Sequence, residues 1–390
     1  MDRRYGLYAA LAALASATVL LTGAGPAAGA TSAGWHLISY ADPCGQTPLK
    51  VAATSPQSAW MMGAGFPNGG QCPADGIDVS HWNGSAWTLL PATTALADQT
   101  GSNGAIAASS SANVWVFPLL GTGTTVYAAA ENWNGSTWTD FSLPDQMLVQ
   151  YAVTFGRSAA WAFGPRPFGA GPHLNVAAYF NGSSWQRAPL PGEPLDESAL
   201  AANDIWAVGP SAKTAAKKPS QQVTIAMHWN GKQWQTLATP RIRVGKGEQA
   251  LVNGVVALGP KNFWWSYVLL ASSGQARPGG QMLHWNGRRW SQVRVPTAGV
   301  QVGGGVITED GDGGVWLEMT ATKDGVATTL AYHYSAAGRW SHSVLPIPKG
   351  YNSTSLSLFW IPHSRSVWAV GYAHASTNAQ VGIIERYTAP

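Results

Sequence analysis

Few residues in this chain have the type and spacing that catalysis or metal binding needs. His81, His228, His284 and His333 each precede an aromatic residue in similar phrases, such as His-Trp-Asn-Gly at 228–231. A histidine that returns with a repeated phrase is more typical of packing than of a ligand set. The motifs H-E-x-x-H and G-x-S-x-G do not occur, and no cysteine–histidine pair has zinc spacing. The sequence therefore predicts no catalytic residue, no metal site and no cofactor.

The acidic residues are also sparse. The closest pairs are Asp75 with Asp78 and Asp196 with Glu197. A glycosidase needs two carboxyl groups at a defined distance across a sugar, and these spacings do not fix one. An acidic stretch at 308–316 lies in a glycine-rich turn and lacks the ligand pattern of an EF-hand.

The tryptophans follow a repeat. In HWNGKQWQTLATP, residues 228–240, two tryptophans stand five positions apart around Asn-Gly, and similar phrases occur at 81–87 and 284–290. Self-similarity of this kind is the signature of a repeat architecture. The first aromatic series is Trp60, Trp115, Trp161, Trp206, Trp264, Trp316 and Trp368, the second is Trp82, Trp133, Phe180, Trp229, Trp285, Tyr334 and Tyr387, and the third is Trp87, Trp138, Trp185, Trp234, Trp290 and Trp340, with Trp35 near the N-terminus.

Each unit predicts four short strands, which we name A to D in chain order. Asn-Gly between strands C and D predicts a tight hairpin turn, where both residues tolerate a positive φ. A proline near the end of strand D removes a hydrogen-bond donor and ends the ladder. The first series recurs every 45 to 58 residues, which is typical of the blades of a β-propeller.

The array is interrupted inside one unit. The seventh unit lacks its third aromatic residue, and residues 33–40 supply an unpartnered strand of that kind. Pairing this strand with the last unit would close a ring and remove its exposed edges. The predicted fold is therefore all-β, a seven-bladed β-propeller of four-stranded blades. The closing strand at 33–40 precedes blades at approximately 48–92, 103–144, 150–191, 197–240, 252–296, 303–346 and 354–388.

The repeated phrases also resemble those of known proteins. V-W-A-V-G at 367–371 and H-W-N-G at 228–231 resemble the secreted tandem-repeat propellers of high-GC Gram-positive bacteria and, more distantly, kelch blades. The chain has one glycine after strand B, as at Gly209, where kelch blades have two. The resemblance covers essentially residues 33–390 and implies the propeller fold. It does not imply a function, because such propellers serve as scaffolds, lectins, lyases and oxidases.

The repeat explains most of the aromatic residues as packing between blades. It includes 18 of the 20 tryptophans and leaves out Trp265 and Trp360. These two are the candidate platforms for stacking on a glycan.

Antiparallel strands place the B–C loops and the D–A connections on one side of the ring, which we call the variable-loop face. Variable loops on a rigid scaffold are where sites usually lie. On this face, the loops of units four and five carry seven basic residues and a single acidic one, Glu248. Such a charge favours an anionic envelope polymer, a polyanionic polysaccharide or an acidic protein, although solvated loops are the alternative. The basic residues are Lys213, Lys217, Lys218, Arg241, Arg243, Lys246 and Arg277.

Two features predict export. Arg3 and Arg4, an apolar run and an A-x-A site at 28–30 indicate a signal peptide over residues 1–30, with a membrane anchor as the alternative and the export route open. Cys44 and Cys72 fall on the variable-loop face of one blade, and an exported protein would join them in a disulfide. Cleavage leaves a net charge of +3, which favours no nucleic-acid partner.

The function hypothesis is a secreted, monomeric, non-catalytic propeller that binds an unknown extracellular protein or envelope polymer through the variable-loop face. No membrane span is expected after cleavage. The alternative is an enzyme on polysaccharides, a lyase or a glycosidase, with its site at the central channel mouth. An enzyme should gather several titratable side chains at that mouth, whereas a binding surface can lie off the axis.

Overall fold

The computed structural model describes most of the predicted propeller. The described residues are 34–38, 47–64, 77–91, 102–120, 127–166, 175–214, 223–274, 276–277, 280–297, 302–303, 305–323, 326–375 and 380–389. The predicted signal peptide at 1–30, both cysteines, Lys217 and Lys218 lie outside them. The cleavage and the disulfide therefore stay predictions.

Within these residues, thirty strands form seven antiparallel sheets, which are the blades. The chain begins with β1 (Gly34–Ile38). Blade 1 contains β2 (Thr47–Ser55), β3 (Ser58–Ala64), β4 (Ile77–Trp82) and β5 (Trp87–Leu89). Blade 2 contains β6 (Ser102–Ser110), β7 (Asn113–Leu120), β8 (Tyr127–Ala128), β9 (Ala130–Trp133) and β10 (Trp138–Phe141). Blade 3 contains β11 (Tyr151–Thr154), β12 (Ala160–Pro165), β13 (Asn175–Phe180) and β14 (Trp185–Ala188).

The second half of the ring continues the pattern. Blade 4 contains β15 (Asp196–Ala201), β16 (Asp204–Pro210), β17 (Thr224–Trp229) and β18 (Trp234–Ala238). Blade 5 contains β19 (Gln249–Gly259), β20 (Asn262–Leu270), β21 (Gln281–Trp285) and β22 (Trp290–Arg294). Blade 6 contains β23 (Val302–Gly303), β24 (Ile307–Glu309), β25 (Val315–Lys323), β26 (Val326–Tyr334) and β27 (Trp340–Val344). Blade 7 contains β28 (Ser353–Trp360), β29 (Val367–His374) and β30 (Gln380–Thr388), with β1 as its fourth strand.

The N-terminal strand closes the ring, as the sequence predicts. β1 pairs antiparallel with β30, from Gly34 opposite Thr388 to Ile38 opposite Ile384. The Trp35 ring lies 5.9 Å from that of Trp316 in blade 6, so the closing strand also packs on its neighbour. The predicted fold class, a seven-bladed propeller closed by its first strand, is confirmed.

Tryptophans of four blades pack on the next blade in one repeated geometry. In blades 2, 3, 6 and 7 the strand B tryptophan contacts the strand C aromatic and the strand D tryptophan of the next blade around the ring. Trp161, for example, lies 5.1 Å from Trp229 and 5.5 Å from Trp234 between ring centres. Tilted and edge-to-face aromatic pairs each stabilise by roughly 0.5–1.5 kcal/mol beyond the area they bury. These contacts bear out the interpretation of the repeated tryptophans as packing residues.

The C–D turns differ in detail from the prediction. In blade 4 the strands pair up to Trp229 and Trp234, which leaves a four-residue loop. Only Gly231 adopts a positive φ, at 85°. Asn230 instead accepts hydrogen bonds through its Oδ1 from the backbone N–H groups of Lys232 and Gln233, both at 3.0 Å. The asparagine is therefore a side-chain cap of the turn.

The first strands of the blades line the central channel. Neighbouring first strands contact one another from blade 1 round to blade 7, and β2 contacts β29 to complete the ring. In the described chain, the third strand of blade 2 and the first strand of blade 6 are each split into two short pieces. A single-turn 3₁₀ helix, Pro144–Gln146, lies in the connection from blade 2 to blade 3. That connection contributes to the site described next.

Candidate functional site

The basic residues predicted on the variable-loop face do lie in its loops. Lys213 is exposed just after β16, and Arg241, Arg243 and Lys246 are exposed between β18 and β19. The structure does not bring these side chains into a shared pocket. They form a dispersed basic surface over blades 4 and 5.

Arg277 differs from the other predicted basic residues because its charge is already paired. Its Nη2 and Nε atoms each lie 2.7 Å from Oε1 of Glu248. Glu248 also accepts the backbone N–H of Gly245 at 2.8 Å. The Gly245 amide and Arg277 together lower the pKa of Glu248. This pair fastens one loop to another, so Arg277 has less charge to offer to a partner.

A cavity of about 210 Å³ lies on the same face, between blades 3 and 4. We call it the arginine cavity, because Arg166 and Arg187 supply its charged walls. Arg166 follows β12 at the start of a B–C loop, and Arg187 lies on β14. The lining is Arg166, Val176, Arg187, Ala188, Pro189, Leu190, Gly192, Glu193 and Ala212. Ala212 precedes Lys213, so the cavity borders the basic surface.

Backbone hydrogen bonds hold one wall of the arginine cavity in place. The connection from blade 3 to blade 4 bonds to the start of the next B–C loop through Glu193 N–H to Pro210 O at 2.9 Å and Ala212 N–H to Pro191 O at 3.0 Å. A Cβ at Gly192 would lie 2.6 Å from Pro210 O, so this approach needs glycine. The wall is therefore preformed rather than a loose loop.

The two guanidinium groups share one carboxylate. Asp145 Oδ2 lies 3.6 Å from Arg166 Nη2 and 3.5 Å from Arg187 Nε. These distances exceed the roughly 2.7–2.9 Å of a tight charge-assisted hydrogen bond. Arg166 Nε is buried and has no hydrogen-bond partner among the described residues. Burial raises the pKa of Glu193, the other acid at the cavity, so it contributes less negative charge than an exposed glutamate. The cavity is thus a preformed site with donors in excess.

The sequence did not predict the arginine cavity. Arg166 and Arg187 stand alone in the chain, and the carboxylate they share is 21 or more positions away. Only the ring brings a B–C loop, a fourth strand and two D–A connections together. A count of basic residues along the chain favours the long loops of blades 4 and 5 instead.

The central channel contains one layer of charged and phenolic groups. Lys50, Tyr151 and Asp196 lie at the same level on the first strands of blades 1, 3 and 4, since each pairs with the second residue after its blade's repeated tryptophan. Lys50 Nζ lies 6.0 Å from the centre of the Tyr151 ring. We call these residues, with Glu197, the channel layer.

Burial controls the two acids of the channel layer. It raises the pKa of Asp196 to about 7 and raises the pKa of Glu197 well above its usual range. Asp196 adds to the effect on Glu197, while the Lys50 charge opposes the rise in both. Asp196 Oδ2 accepts the backbone N–H of Val255 at 2.7 Å. The sequence identified this acidic pair, but it could not place Lys50 and Tyr151 beside it, because they lie on other blades.

The structure contradicts one of the two candidate glycan platforms. Trp265 is 0% exposed, because it points into the interface between blades 4 and 5. The prediction that it stacks on a glycan is wrong for this residue, since no ring face is accessible. Trp360 is half-buried, packs on the blade 6–7 core and donates its indole N–H to Ser364 O at 2.9 Å. Its role as a platform stays a prediction.

The repeated histidines have a structural role. His228 stacks on Trp206 with ring centres 4.2 Å apart, and its Nε2 lies 2.8 Å from Asp204 Oδ1. His284 repeats this geometry with Trp264 at 3.9 Å and Asn262 at 2.8 Å. Each histidine fixes the A–B turn of its blade against the strand B tryptophan.

The acidic stretch at 308–316 also forms a turn. Asp310 accepts the backbone N–H groups of Asp312 and Gly314 at 2.7 and 2.8 Å and contacts His333 at 2.8 Å. Asp312 pairs with Arg365 at 2.8 Å. Within the described residues, no group of three or more histidine, cysteine or acidic side chains could hold a metal ion. No helix in that part of the chain is long and apolar enough to cross a membrane.

Comparisons with known proteins place the chain only by its fold. It matches no protein-family model and none of the curated proteins. It is similar to a structure of YCF48 bound to D1 peptide, with 14% identity, a TM-score of 0.56, and coverage of 92% of this chain and 98% of that one. It is also similar to an ulvan lyase of polysaccharide lyase family PL25 bound to -[GlcA(1-4)Rha3S]-, with 10% identity, a TM-score of 0.56, and coverage of 89% and 95%. At such identities the likeness shows the propeller fold alone.

Proposed function

We propose that the protein is a secreted, non-catalytic propeller that binds an extracellular or cell-envelope partner through the variable-loop face. In this proposal the partner is anionic, and one of its charged groups occupies the arginine cavity. The observation that carries the proposal is a preformed cavity in which two guanidinium groups share a single, loosely held carboxylate. Arginine is suited to such a site because its fork of donors matches carboxylate, phosphate and sulfate groups.

The predicted basic loops extend this site. Lys213, Lys217, Lys218, Arg241, Arg243 and Lys246 would attract an anionic partner over a longer range, whereas the cavity would fix its position. Arg277 contributes little because Glu248 already pairs with it. The propeller scaffold accommodates more than one class of ligand, since the two similar structures contain a peptide in one case and a saccharide in the other. An anionic polymer and an acidic protein are therefore both tested.

The test is a binding screen of residues 31–390 against immobilised polymers that carry carboxylate, phosphate or sulfate groups, and against acidic peptides. We expect binding that weakens as ionic strength rises, because the Debye length contracts from about 30 Å at 0.01 M to about 3 Å at 1 M salt. Arg166→Ala and Arg187→Ala should each weaken binding at least about tenfold, since a hydrogen bond to a charged group is worth about 1.5–3 kcal/mol.

The matched control is Arg288→Ala, which removes one charge from an exposed C–D turn on the opposite face. It should leave the affinity unchanged. Binding that survives both cavity substitutions but disappears on neutralising Lys213, Arg241 and Arg243 would move the site to the loops and overturn the role of the cavity. Failure to bind every anionic probe at low salt would overturn the proposal.

Secretion has its own test. Expression of the full chain should release a protein that begins at Thr31, which N-terminal sequencing would detect. An intact N-terminus on the released or retained protein would contradict cleavage after Ala30. Mass spectrometry under non-reducing conditions would show whether Cys44 and Cys72 are joined.

The second candidate is a polysaccharide lyase or glycosidase that acts in the central channel. The channel layer favours it, because Lys50 lies 6.0 Å from the Tyr151 ring and its charge acts on both Asp196 and Glu197. Two features argue against paired carboxyl catalysis: consecutive strand residues point to opposite faces, and Asp196 is engaged by the Val255 amide. Release of reducing ends or unsaturated products from uronate-containing or neutral polysaccharides, abolished by Tyr151→Phe, would favour the enzyme.

A further inference from the structure

The channel layer is an unusual concentration of chemistry for this ring. The described first strands consist almost entirely of small, hydroxyl and aliphatic residues. Their titratable side chains are Lys50, Tyr151, Asp196, Glu197 and Glu309. Four of these five lie in the channel layer, on three different blades. Strand packing alone does not require these titratable residues, because the first strands of the other blades have uncharged residues at the corresponding position.

Solvent reaches the channel layer, since Lys50, Tyr151, Asp196 and Glu197 are each partly exposed. Blade 2 contributes only Ala105 at this level, which pairs with the second residue after its repeated tryptophan. Lys50 therefore extends past a methyl group to reach the Tyr151 ring. None of the six ion pairs between described residues includes Lys50. Its charge acts on the pKa of both acids, although none of these pairs joins it to either of them.

Glu197 is incompletely satisfied. Its Oε2 atom is buried and has no hydrogen-bond partner among the described residues. Burial, with a contribution from Asp196, raises its pKa well above the usual range, which favours the protonated carboxyl, and a protonated carboxyl can donate an O–H hydrogen bond. A buried polar group without a partner costs free energy, and a ligand that satisfies it recovers that cost. The site thus presents two donors, the ammonium of Lys50 and the carboxyl O–H of Glu197.

A carboxylate matches this pair of donors. It carries two acceptor oxygens and a negative charge that compensates Lys50. A metal cation would be repelled by Lys50, and a neutral polyol would leave that charge uncompensated. We propose that the channel layer binds the carboxylate group of a small organic acid between Lys50 and Glu197. This site is separate from the arginine cavity and does not depend on the function proposed above.

The proposal implies a pH dependence. Asp196 lies beside Glu197, and burial raises its pKa to about 7. When Asp196 loses its proton, its charge repels a bound carboxylate and competes for Lys50. The two acids are coupled to each other, and the charge of Lys50 acts on both. Affinity should therefore fall as the pH rises from 6 to 8.

The experiment is calorimetric titration of residues 31–390 with acetate, lactate and glucuronate at pH 6 and pH 8. Glucose is the matched neutral probe for glucuronate. We expect at least one acid to bind at pH 6, about tenfold more weakly at pH 8, and glucose not to bind. Lys50→Met should abolish binding. Asp196→Asn should keep binding and remove most of its pH dependence. Lys232→Met, in the exposed C–D turn of blade 4, is the control and should bind like the parent protein.

Three results would overturn the proposal: no acid binds at pH 6, glucose binds as well as glucuronate, or Lys50→Met binds like the parent protein. Circular dichroism and thermal melts would establish that each variant is folded. If Lys50→Met does not fold, Lys50→Gln replaces it, and the pH dependence of the parent protein remains a test. Loss of polymer binding in Arg166→Ala, with acid binding intact, would separate this site from the arginine cavity.

Discussion

At the scale of single residues, burial decides what the acids of this protein do. Glu318 on β25 and Glu385 on β30 are 7% and 0% exposed. Burial raises the pKa of each to about 8. Burial also raises the pKa of Glu309 to about 7, with a further contribution from Asp310. At neutral pH several glutamates therefore keep a proton that they would lose in the unfolded chain.

These raised values predict that stability falls with pH. A group whose pKa is raised by folding contributes stability fully below its unfolded value, near 4.5, and loses that contribution as the pH rises through about 8. Glu318→Gln removes this group without changing its size. The variant should match the parent protein near pH 4.5 and exceed it by on the order of 2–4 kcal/mol in unfolding free energy near pH 9.

Thermal melts of both proteins from pH 4.5 to 9 would check this prediction. Asp140→Asn, an exposed acid on β10, is the control and should leave the pH profile unchanged. A constant difference between the Glu318→Gln and parent profiles would show that Glu318 is ionised in the folded protein.

The sequence was informative about residues that repeat and uninformative about residues that do not. His228 was predicted to be structural because it recurs with its phrase, and its contacts with Trp206 and Asp204 confirm this. Trp265 was a candidate glycan platform because it lies outside the repeat, yet it is buried. Arg166 lines the arginine cavity, yet no pattern in the neighbouring residues of the sequence predicts a binding role for it.

At the scale of elements, the turn between the third and fourth strands shows how much the pattern could specify. The sequence predicted the hairpin and its position from Asn-Gly. It left the loop length open at two residues or slightly more, because pairing between Trp229 and Trp234 sets where the loop begins. It missed the separate roles of the two residues. Glycine supplies the positive φ and asparagine supplies a side-chain acceptor. The split strands of blades 2 and 6 left no signal in the repeat, because strand breaks depend on local pairing rather than on the aromatic series.

Two glycines, one in the C–D turn of blade 4 and one in the A–B turn of blade 3, can separate backbone strain from side-chain contact. Gly231 has a φ of 85°, and a Cβ there would lie 2.7 Å from the Asn203 Cβ. Gly156 has a φ of 71° with nothing within 4 Å of the added Cβ. Gly156→Ala should cost about 1–2 kcal/mol from the left-handed backbone alone. Gly231→Ala should cost about 1–3 kcal/mol more, because the two Cβ atoms must also move apart.

Denaturant unfolding of the two alanine variants and the parent protein would measure these differences. Equal losses in the two variants would mean that the Asn203 contact relaxes without cost. A larger loss for Gly156→Ala than for Gly231→Ala would contradict the argument.

At the scale of the whole molecule, the ring rests on one pairing between distant parts of the chain. Tyr387 pairs with Trp35, and these residues are the third-strand aromatic and fourth-strand tryptophan of blade 7. Trp82 and Trp87 pair in the same way across a four-residue loop in blade 1. The sequence predicted this closure because the aromatic series is missing at one end and present at the other. It could not predict the channel layer, which depends on the blades that face each other across the ring, or the arginine cavity, which depends on contacts between the neighbouring blades 3 and 4.

Removal of the closing strand should destabilise the whole ring. A protein that begins at residue 39 lacks β1 and leaves β30 as an unpaired edge. We expect its melting temperature to fall by about 10 °C or more relative to residues 31–390. Thermal melts followed by light scattering would measure both the loss of stability and the association expected of an exposed edge. An unchanged melting temperature would contradict the role of β1.

A circular permutant gives the complementary test. Two residues inserted between Thr388 and Gly34 would rebuild a four-residue turn between Tyr387 and Trp35. New ends would lie within residues 215–222, between β16 and β17. Because every strand keeps its partners, the permutant should melt within a few degrees of the parent protein. A large loss would indicate that the inserted turn does not reproduce the turn of blade 1.

The pairing of β1 with β30 also determines how the molecule would respond to tension. Gly34 and Thr388 face each other at one end of an antiparallel pair, so a force applied through these two residues pulls that pair directly apart. The hydrogen bonds lie across the strands and along the pull, and they would break one after another rather than all together. Tethered at both ends, the propeller would therefore peel open at blade 7 under a small load, while the other six blades remain intact.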